Sequence, residues 1–152
     1  MLNMAIDKVR EYFKQWNREK DILEFNESSA TVVLAAQALD VEPARIAKTI
    51  AFKDGDGAML IVSAGDARID NKKFRTEFAF KAKMLSPEKT LEFTGHAVGG
   101  VCPFGLKNNI PVFLDISLKR FDTVFPACGS SNSAIELTCD ELEKYSKCER
   151  WI

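Results

Sequence analysis

The sequence predicts a mixed α/β (α+β) fold, in which helices alternate with strands and some neighbouring strands form hairpins. Its 152 residues suffice for one domain with a substantial core, and 46% hydrophobic and 28% charged residues are ordinary for a globular protein. The run Asp54-Gly55-Asp56-Gly57 separates two apolar segments and strongly predicts a β-hairpin. Hairpins interleaved with helices favour a mixed sheet over a strictly parallel βαβ repeat. No internal repeat or linker-like segment divides the chain, so we expect a single domain over residues 1–152.

Apolar spacing predicts the elements of the first half of the chain. Ile6, Val9, Phe13 and Trp16 recur at helical intervals, which indicates an amphipathic helix near the start. Serine is a preferred helix cap, and proline suits a first helical turn. The expected elements are a helix over about 3–19, a strand over 22–25, a helix from Ser28 or Ser29 to about Leu39, a short helix from Pro43 to about Ala47, and strands over 48–53 and 58–64.

Capping residues place the helices of the second half. Asp70 and Ser86 suit helix N-caps, and Thr138 with Glu141 forms the pattern of a capping box. The expected elements are a helix over 70–79, a strand over 81–85, a helix that starts at Ser86-Pro87, a glycine-rich loop, a strand over 111–116, a helical turn over 117–121, strands over 123–128 and 134–138 joined by the turn 129–132, and a helix over about 139–148.

Charge and cysteine content argue against several classes of protein. A net charge of −1 and a pI near 5.9 disfavour a protein that coats long nucleic acid, although they allow contact with a nucleic-acid end. No apolar run approaches the roughly 20 residues that span a bilayer, and the N-terminus lacks a signal-peptide pattern. Four cysteines without Cys-x-x-Cys spacing and a single histidine argue against a zinc site. We therefore expect reduced thiols, no metal or other cofactor, and a cytoplasmic location.

The most distinctive segment is the glycine-rich loop of residues 94–106. It holds four of the eight glycines, one of the five prolines and the only histidine. Glycine is favoured where the backbone needs a positive φ or where another group approaches it closely. Two interpretations remain open, a wall shaped around a ligand with backbone N–H donors, or a tight turn and bulge without a ligand.

Two charged residues lie inside apolar strands. Lys48 shares a strand face with Ile50 and Phe52, although lysine is rarely buried without a partner. It either extends to water from the strand end or places an ammonium at a pocket rim, where it would hold a phosphate or polarise a carbonyl. Asp115 shares a face with Phe113 and is better interpreted as a structural brace that accepts backbone hydrogen bonds.

Three further features have a structural and a functional interpretation each. The polar turn of residues 129–133 is an ordinary hairpin turn or a second pocket wall. A basic patch on one helix is a solvated face or a contact for a nucleic-acid backbone; its residues are Lys72, Lys73 and Arg75, near Lys81 and Lys83. His96 and Cys102 would suit a Cys-His hydrolase, but no basic cluster near Cys102 would lower the pKa of its thiol.

The order of these features resembles the YbaK family, the free-standing relatives of the prolyl-tRNA synthetase editing domain. The resemblance covers about residues 22–142, and a Lys-Thr pair followed some fifty residues later by Gly-Gly-x-x-Pro-x-Gly is its most specific part. The matching segments are residues 46–52, 95–105, 111–115 and 129–137. The resemblance implies a barrel-like mixed sheet surrounded by helices, and hydrolysis of the ester that joins a wrong amino acid to the 3′-terminal adenosine of a tRNA.

The resemblance also implies site residues. Lys48, Gly99 and Gly100 are expected to be catalytic, with the two glycine N–H groups stabilising an oxyanion and Lys48 orienting the ester. The base that activates water would come from the substrate. The expected substrate-binding residues are Thr49, Val98, Pro103, Gly105, Gly129, Ser130, Ser131 and Asn132. By strand alternation, the Thr49 side chain should point away from that of Lys48.

The chain departs from the family pattern at two positions. Some members have serine at the position of Ala127 and aspartate at that of Ala134. The amino acid removed therefore stays open, as does the oligomeric state. The alternative function is a non-catalytic module that retains the pocket and binds tRNA ends or a synthetase. The expected partners are aminoacyl-tRNA, through its 3′-terminal adenosine, and an aminoacyl-tRNA synthetase.

Overall fold

A computed structural model describes residues 5–152 and contains five α-helices and eight strands. The α-helices are α1 (Ala5–Phe13), α2 (Val32–Leu39), α3 (Asn71–Phe78), α4 (Pro87–Thr94) and α5 (Cys139–Ser146). The strands are β1 (Leu23–Glu24), β2 (Ile46–Asp54), β3 (Gly57–Ala64), β4 (Val112–Leu114), β5 (Thr123–Pro126), β6 (Ser133–Ala134), β7 (Leu137–Thr138) and β8 (Arg150–Trp151). Short 3-10 helices cover Lys14–Trp16, Glu19–Asp21, Pro43–Arg45 and Ile116–Arg120.

Six strands form a mixed sheet that curls into a half-barrel, in the order β7-β5-β2-β3-β4-β8. The β2–β3 and β5–β7 pairs are antiparallel, whereas β2–β5, β3–β4 and β4–β8 are parallel. Asp54 pairs with Gly57 at the hairpin that joins β2 to β3, as the sequence predicts. Strands β1 and β6 form a separate antiparallel pair. The mixed α/β class with a barrel-like sheet is therefore confirmed.

Alternation along β3 divides the core between the two faces of the sheet. Leu60 and Val62 belong to the larger cluster, which also contains Val9 and Phe13 of α1. Met59 and Ile61 belong to a second cluster on the opposite face, where α3 packs through Phe74. Both faces of β3 are therefore covered, and this strand is buried from Ala58 to Ala64, as in an interior sheet.

Three helix starts follow the predicted capping chemistry. The Asp70 carboxylate accepts hydrogen bonds from two backbone N–H groups of α3, and the Ser86 hydroxyl accepts one from Lys89 N. Thr138 and Glu141 form both hydrogen bonds of a capping box at α5. No helix within residues 5–152 combines the length and apolar character that crossing a bilayer requires.

Other predicted boundaries are wrong for identifiable reasons. The cap of α2 is Thr31, not Ser28 or Ser29, because the Ser29 N–H is held by the carbonyl of Ser131. The segment 81–85 makes only an isolated bridge, from Met84 to Phe52, before the chain turns into α4. The first helix ends at Phe13, and its predicted start lies outside the described residues. The predicted strand over 134–138 is divided into β6 and β7, which pair with different partners.

Candidate functional site

A cavity of about 230 Å³ lies where the sheet opens beside β2. The pairing of β2 with β5 ends at Ala47, and the next neighbour on that side is Met84, opposite Phe52. Between these points the β2 edge faces the cavity instead of another strand. The remaining walls come from the segment before α2, the glycine-rich loop and the segments around β5 and β6. They include residues 29–32, 98, 99, 101, 125, 127, 133 and 134.

Lys48 borders this cavity and is bound by the turn that follows β3. Its Nζ donates hydrogen bonds to the carbonyl oxygens of Ala67 and Gly65, the latter at 3.5 Å. Partial burial lowers the pKa of Lys48, and the charge of Asp66 opposes this shift while that of Arg68 adds to it. An ammonium has three N–H donors. Two of them serve the turn, so one donor remains for a ligand.

Thr49 contributes its backbone groups to the same cavity, which Lys48 borders with its ammonium. Ala51 O and Lys53 N form hydrogen bonds toward the 83–85 segment, and alternate residues of a strand direct their backbone groups to the same side. The N–H and C=O of Thr49 therefore point to the open edge. Its neighbours Ala47 and Ala51 belong to the main core, on the face opposite Lys48. Alternation along β2 thus separates the Thr49 and Lys48 side chains, as the strand pattern predicts.

Two cavity-lining hydroxyls are buried without a hydrogen-bond partner among residues 5–152. They are Ser29 Oγ and Thr49 Oγ1. An unpaired buried polar group of this kind costs about 1–3 kcal/mol. The rest of the wall is mostly apolar, with Ala35, Ile46 and Phe125 among its residues. A polar ligand in the cavity would supply hydrogen-bond partners for these two hydroxyls.

The glycine-rich loop contributes Gly99 directly to the cavity wall. Its φ of +101° is one that side chains rarely adopt, and an added Cβ would lie 3.2 Å from Ala30 Cβ across the cavity entrance. The Gly99 N–H makes no hydrogen bond to another described residue. Val98 also lines the cavity and is 63% exposed, so the loop tip faces both the cavity and solvent.

Gly100 is adjacent to the cavity but its N–H is not a free donor. It donates to the carbonyl of Ala97 at 3.0 Å, which closes a turn. The role of Gly100 at an oxyanion stays a prediction, and in this conformation Gly99 has the N–H that makes no hydrogen bond to another described residue. Gly100 instead permits a close approach, because an added Cβ would lie 2.7 Å from Ser130 N. Its carbonyl accepts a hydrogen bond from Gly129 N at 3.0 Å, which joins the glycine-rich loop to the polar turn.

The polar groups of that turn form hydrogen bonds with one another and with the segment that precedes α2. Ser130 Oγ lies 2.9 Å from Asn132 Oδ1 and 2.7 Å from Ser133 Oγ. Asn132 Nδ2 donates to the carbonyl of Phe25, and Ser131 accepts from Ser29 N. Of this segment, Ser133 lines the cavity. Gly129 and residues 130–132 lie behind the wall and support it.

Two other predicted substrate-binding residues also lie outside the cavity lining. Pro103 is buried in the loop, and Gly105 packs against the α1 backbone, where an added Cβ would lie 3.0 Å from Lys8 O. Sequence reasoning missed the wall formed by residues 29–32. The serines at its start suggest only a helix cap in the sequence. The hydrogen bond from Ser29 N to Ser131 O, which holds this segment at the cavity wall, joins residues about 100 positions apart.

His96 and Cys102 are buried in the loop and do not line the cavity. His96 Nε2 donates to the Phe104 carbonyl at 2.7 Å, and burial lowers the pKa of the imidazole. Burial raises the pKa of the Cys102 thiol to about 12. A neutral histidine whose donor is already used, beside a protonated thiol, is a structural pair. Asp115 is also structural, since it accepts from Ser117 N at 2.9 Å and begins the 3-10 helix there.

Comparison with known proteins places this chain in one family. A family model described as an aminoacyl-tRNA editing domain matches residues 26–145. Protein YwhH of Bacillus subtilis (strain 168), described as uncharacterized, is 59% identical over 150 residues, which cover 98% of this chain and 96% of that protein.

Two more distant relatives carry functional names. EbsC of Enterococcus faecalis, a candidate Cys-tRNA(Pro)/Cys-tRNA(Cys) deacylase, is 27% identical over 120 residues, covering 78% of this chain and 73% of that protein. A crystal structure of a candidate trans-editing enzyme for prolyl tRNA synthetase superposes with a TM-score of 0.87 at 27% identity, covering 99% of this chain and 96% of the other. These matches confirm the resemblance found in the sequence, and the chain belongs to the aminoacyl-tRNA editing domain family.

Proposed function

We propose that this protein hydrolyses the ester bond of mischarged aminoacyl-tRNA. One observation carries the proposal: one cavity is bordered by the adjacent residues Lys48 and Thr49 and by Gly99, which follows them about fifty residues later in the sequence. Membership of the editing family and the deacylase name of a 27% identical relative support it. The substrate is cytoplasmic, and we propose that the protein acts there, alongside the synthetases that make mischarged tRNA.

The proposed chemistry is attack of water on the ester carbonyl. The carbonyl oxygen gains negative charge, and the Gly99 N–H is the loop donor placed to stabilise it. The remaining Lys48 N–H holds a ribose or phosphate oxygen and orients the ester. The bond between the acyl carbon and the ribose oxygen then breaks, and the ribose oxygen takes the proton that water releases. The products are the free amino acid and a tRNA with an intact 3′ end.

The cavity lining suggests where the base comes from. No aspartate, glutamate, histidine or cysteine is among the described residues that line it. A general base must lie within hydrogen-bond reach of the water, directly or through one bridging water. We therefore assign this role to the substrate, through its free ribose hydroxyl, its amino group or its side chain.

A panel of tRNAs mischarged with different amino acids tests the proposal. We expect at least one of them to be deacylated faster than in buffer, and Lys48→Ala to lose most of that rate while the circular dichroism spectrum is preserved. Lys89→Ala is a matched control, because Lys89 is an exposed lysine on α4 whose ion-pair partner is the neighbouring Glu92. Wild-type deacylation rates in a folded Lys48→Ala protein would contradict the proposed role of Lys48.

The second candidate function is a module that binds tRNA ends or a synthetase without turnover. The apolar Ala127 and Ala134 favour it, since both line the cavity at positions where some family members have polar residues. The same panel distinguishes the two. No deacylation of any mischarged tRNA, combined with retained tRNA binding, would favour the module.

A further inference from the structure

A basic surface runs beside the cavity and is not used by the catalytic proposal. Residues 68–83 contain six cations, and we name these six the basic strip: Arg68, Lys72, Lys73, Arg75, Lys81 and Lys83. The same segment contains two carboxylates, whereas the chain as a whole has a net charge of −1. Positive charge is thus concentrated in one segment of an otherwise acidic protein.

The cations of the basic strip are exposed and have no ion-pair partner among residues 5–152. The two carboxylates of the segment are already engaged. Asp70 caps α3 by accepting two backbone hydrogen bonds, and Glu77 binds Arg150 at 2.8 Å. By contrast, five other arginines of the protein form ion pairs; they are Arg10, Arg18, Arg45, Arg120 and Arg150. The free positive charge of the strip is therefore available to an external anion.

Packing places the strip next to the cavity. Phe74 of α3 packs on Phe52 of β2 with ring centroids 5.1 Å apart, which directs Lys72, Lys73 and Arg75 to solvent on that face. Phe52 also bridges to Met84, a cavity-lining residue that is 65% exposed. Lys83 directly precedes Met84, so the strip reaches the cavity mouth at one end.

The other end of the strip lies near Lys48. Arg68 follows the turn whose carbonyls hold the Lys48 ammonium, and its charge helps to lower the pKa of that lysine. Helix α3 has eight residues and so extends the strip by about 12 Å. The strip thus meets the cavity region at both ends, through Lys83 and Arg68, and α3 carries the cations between them over a length greater than a single phosphate group needs.

We propose that the basic strip binds the phosphate backbone of the base-paired RNA stem next to the 3′ end held in the cavity. This inference rests on the proposed function, because it assumes that the cavity takes an aminoacylated RNA end. A row of unpaired, exposed cations without an aromatic stacking platform suits duplex phosphates better than unstacked bases. Contacts of this kind add affinity without sequence readout.

An acidic protein surface, such as that of a synthetase, is the competing occupant. Duplex RNA is favoured because its phosphates present a dense negative charge to the four lysines and two arginines of the strip. Protein interfaces usually contain a desolvated apolar or aromatic centre, and the exposed part of α3 is polar or charged. The experiment below separates the two.

The test compares Lys72→Gln/Lys73→Gln with Lys20→Gln/Lys144→Gln in the full-length protein. Both double variants remove two exposed positive charges, but Lys20 lies on the 3-10 helix Glu19–Asp21 and Lys144 on α5, so neither belongs to the basic strip. Binding of unfractionated uncharged tRNA, and separately of prolyl-tRNA synthetase, is measured over a KCl series. Hydrolysis is measured on a mischarged tRNA and on the corresponding 3′-aminoacyl-adenosine, which lacks the stem.

We expect the strip variant to raise the Kd for tRNA and the KM for mischarged tRNA by about five-fold or more at low salt. The slope of log K against log [salt] should fall by about two, roughly one for each cation removed. Hydrolysis of aminoacyl-adenosine and kcat should stay at wild-type values, and the control variant should match the wild type throughout.

Each outcome bears on one proposal. An unchanged Kd and salt slope in the strip variant would overturn the phosphate-binding role, as would a loss of synthetase binding with tRNA binding intact. A lowered salt slope in a protein that deacylates no member of the panel would support the strip and contradict the hydrolase. If activity on aminoacyl-adenosine falls as much as activity on mischarged tRNA, the substitutions damage the cavity. The variant Lys81→Gln/Lys83→Gln then repeats the test at the other end of the strip.

Discussion

At the scale of single residues, the state of Lys48 depends on where its ammonium is placed. Burial opposes its charge, while two backbone carbonyls and the nearby Asp66 support it. The net effect lowers the pKa of Lys48 below the ordinary value of 10.5. The residue therefore loses its proton at a lower pH than an exposed lysine does.

This shift predicts a pH dependence of activity. If the ammonium orients the substrate, kcat/KM is complete below the folded pKa and falls as pH rises through it, at a pH below 10.5. Lys48→Arg keeps its charge over this range and should lack that alkaline limb, at a lower plateau rate. The measurement is deacylation from pH 7 upward, corrected for spontaneous hydrolysis. An identical alkaline limb in both proteins would show that Lys48 does not cause it.

Stability should respond to pH with the opposite sign. Between the lowered folded pKa and the ordinary pKa of Lys48, the unfolded chain binds more protons than the folded one. The contribution of Lys48 to the free energy of unfolding therefore rises with pH across that window. Burial raises the pKa of the Cys102 and Cys128 thiols, so their contribution falls with rising pH, and circular dichroism over the same pH series separates a loss of activity from a loss of the fold.

Thr49 allows a test in which stability and function change in opposite directions. Its buried hydroxyl has no hydrogen-bond partner among residues 5–152, so Thr49→Val should leave the ligand-free protein as stable or stabilise it by about 1 kcal/mol. The same change should lower kcat/KM for the cognate mischarged tRNA, because a substrate group loses its hydrogen bond. Urea unfolding and deacylation rates measure the two effects.

Thr94 is the matched control for Thr49. Its hydroxyl donates to Thr90 O at 2.6 Å and accepts from His96 N at 3.0 Å, outside the cavity. Thr94→Val leaves these groups unpaired and should destabilise the protein by about 1–3 kcal/mol with little direct effect on KM. Destabilisation of similar size in Thr49→Val would mean that the Thr49 hydroxyl has a partner in solution.

At the scale of elements, the glycine-rich loop and the polar turn form one unit. Gly100 and Gly129 meet backbone to backbone, and the Ser131 carbonyl holds the segment before α2 against the same turn. Three segments far apart in sequence thereby form adjoining walls of the cavity. A displacement of the polar turn would move the other two.

Gly100→Ala tests this contact. The added methyl group would lie within 3 Å of the Gly129–Ser130 backbone, which cannot rotate away as a side chain can. We expect a loss of about 1–3 kcal/mol in the free energy of unfolding and a reduced deacylation rate. Gly57→Ala is the control, because its added methyl would meet only Asp54 O at 3.5 Å. Equal urea midpoints for the two variants would contradict the locked-loop description.

At the scale of the whole molecule, the fold class and most elements follow from local sequence. The Asp54–Gly57 hairpin and the caps at Asp70, Ser86 and Thr138 depend on short-range chemistry and are confirmed. The errors occur where a distant segment competes for the same backbone groups. Ser29 is the clearest case, because its N–H binds Ser131 and the helix begins two residues later.

The sequence by itself determined the mixed sheet, the lysine placed on an apolar strand face and the loop that needs glycine. Side-chain period and backbone conformational limits act within a few residues, so they are visible in the chain. Only the tertiary structure decided which of those residues meet. It brought Lys48, Thr49, Ser29 and Gly99 around one cavity and placed Ser130 and Asn132 behind its wall. The physical reason is that contacts between segments 20 to 100 residues apart depend on strand pairing and loop packing, which no local pattern records.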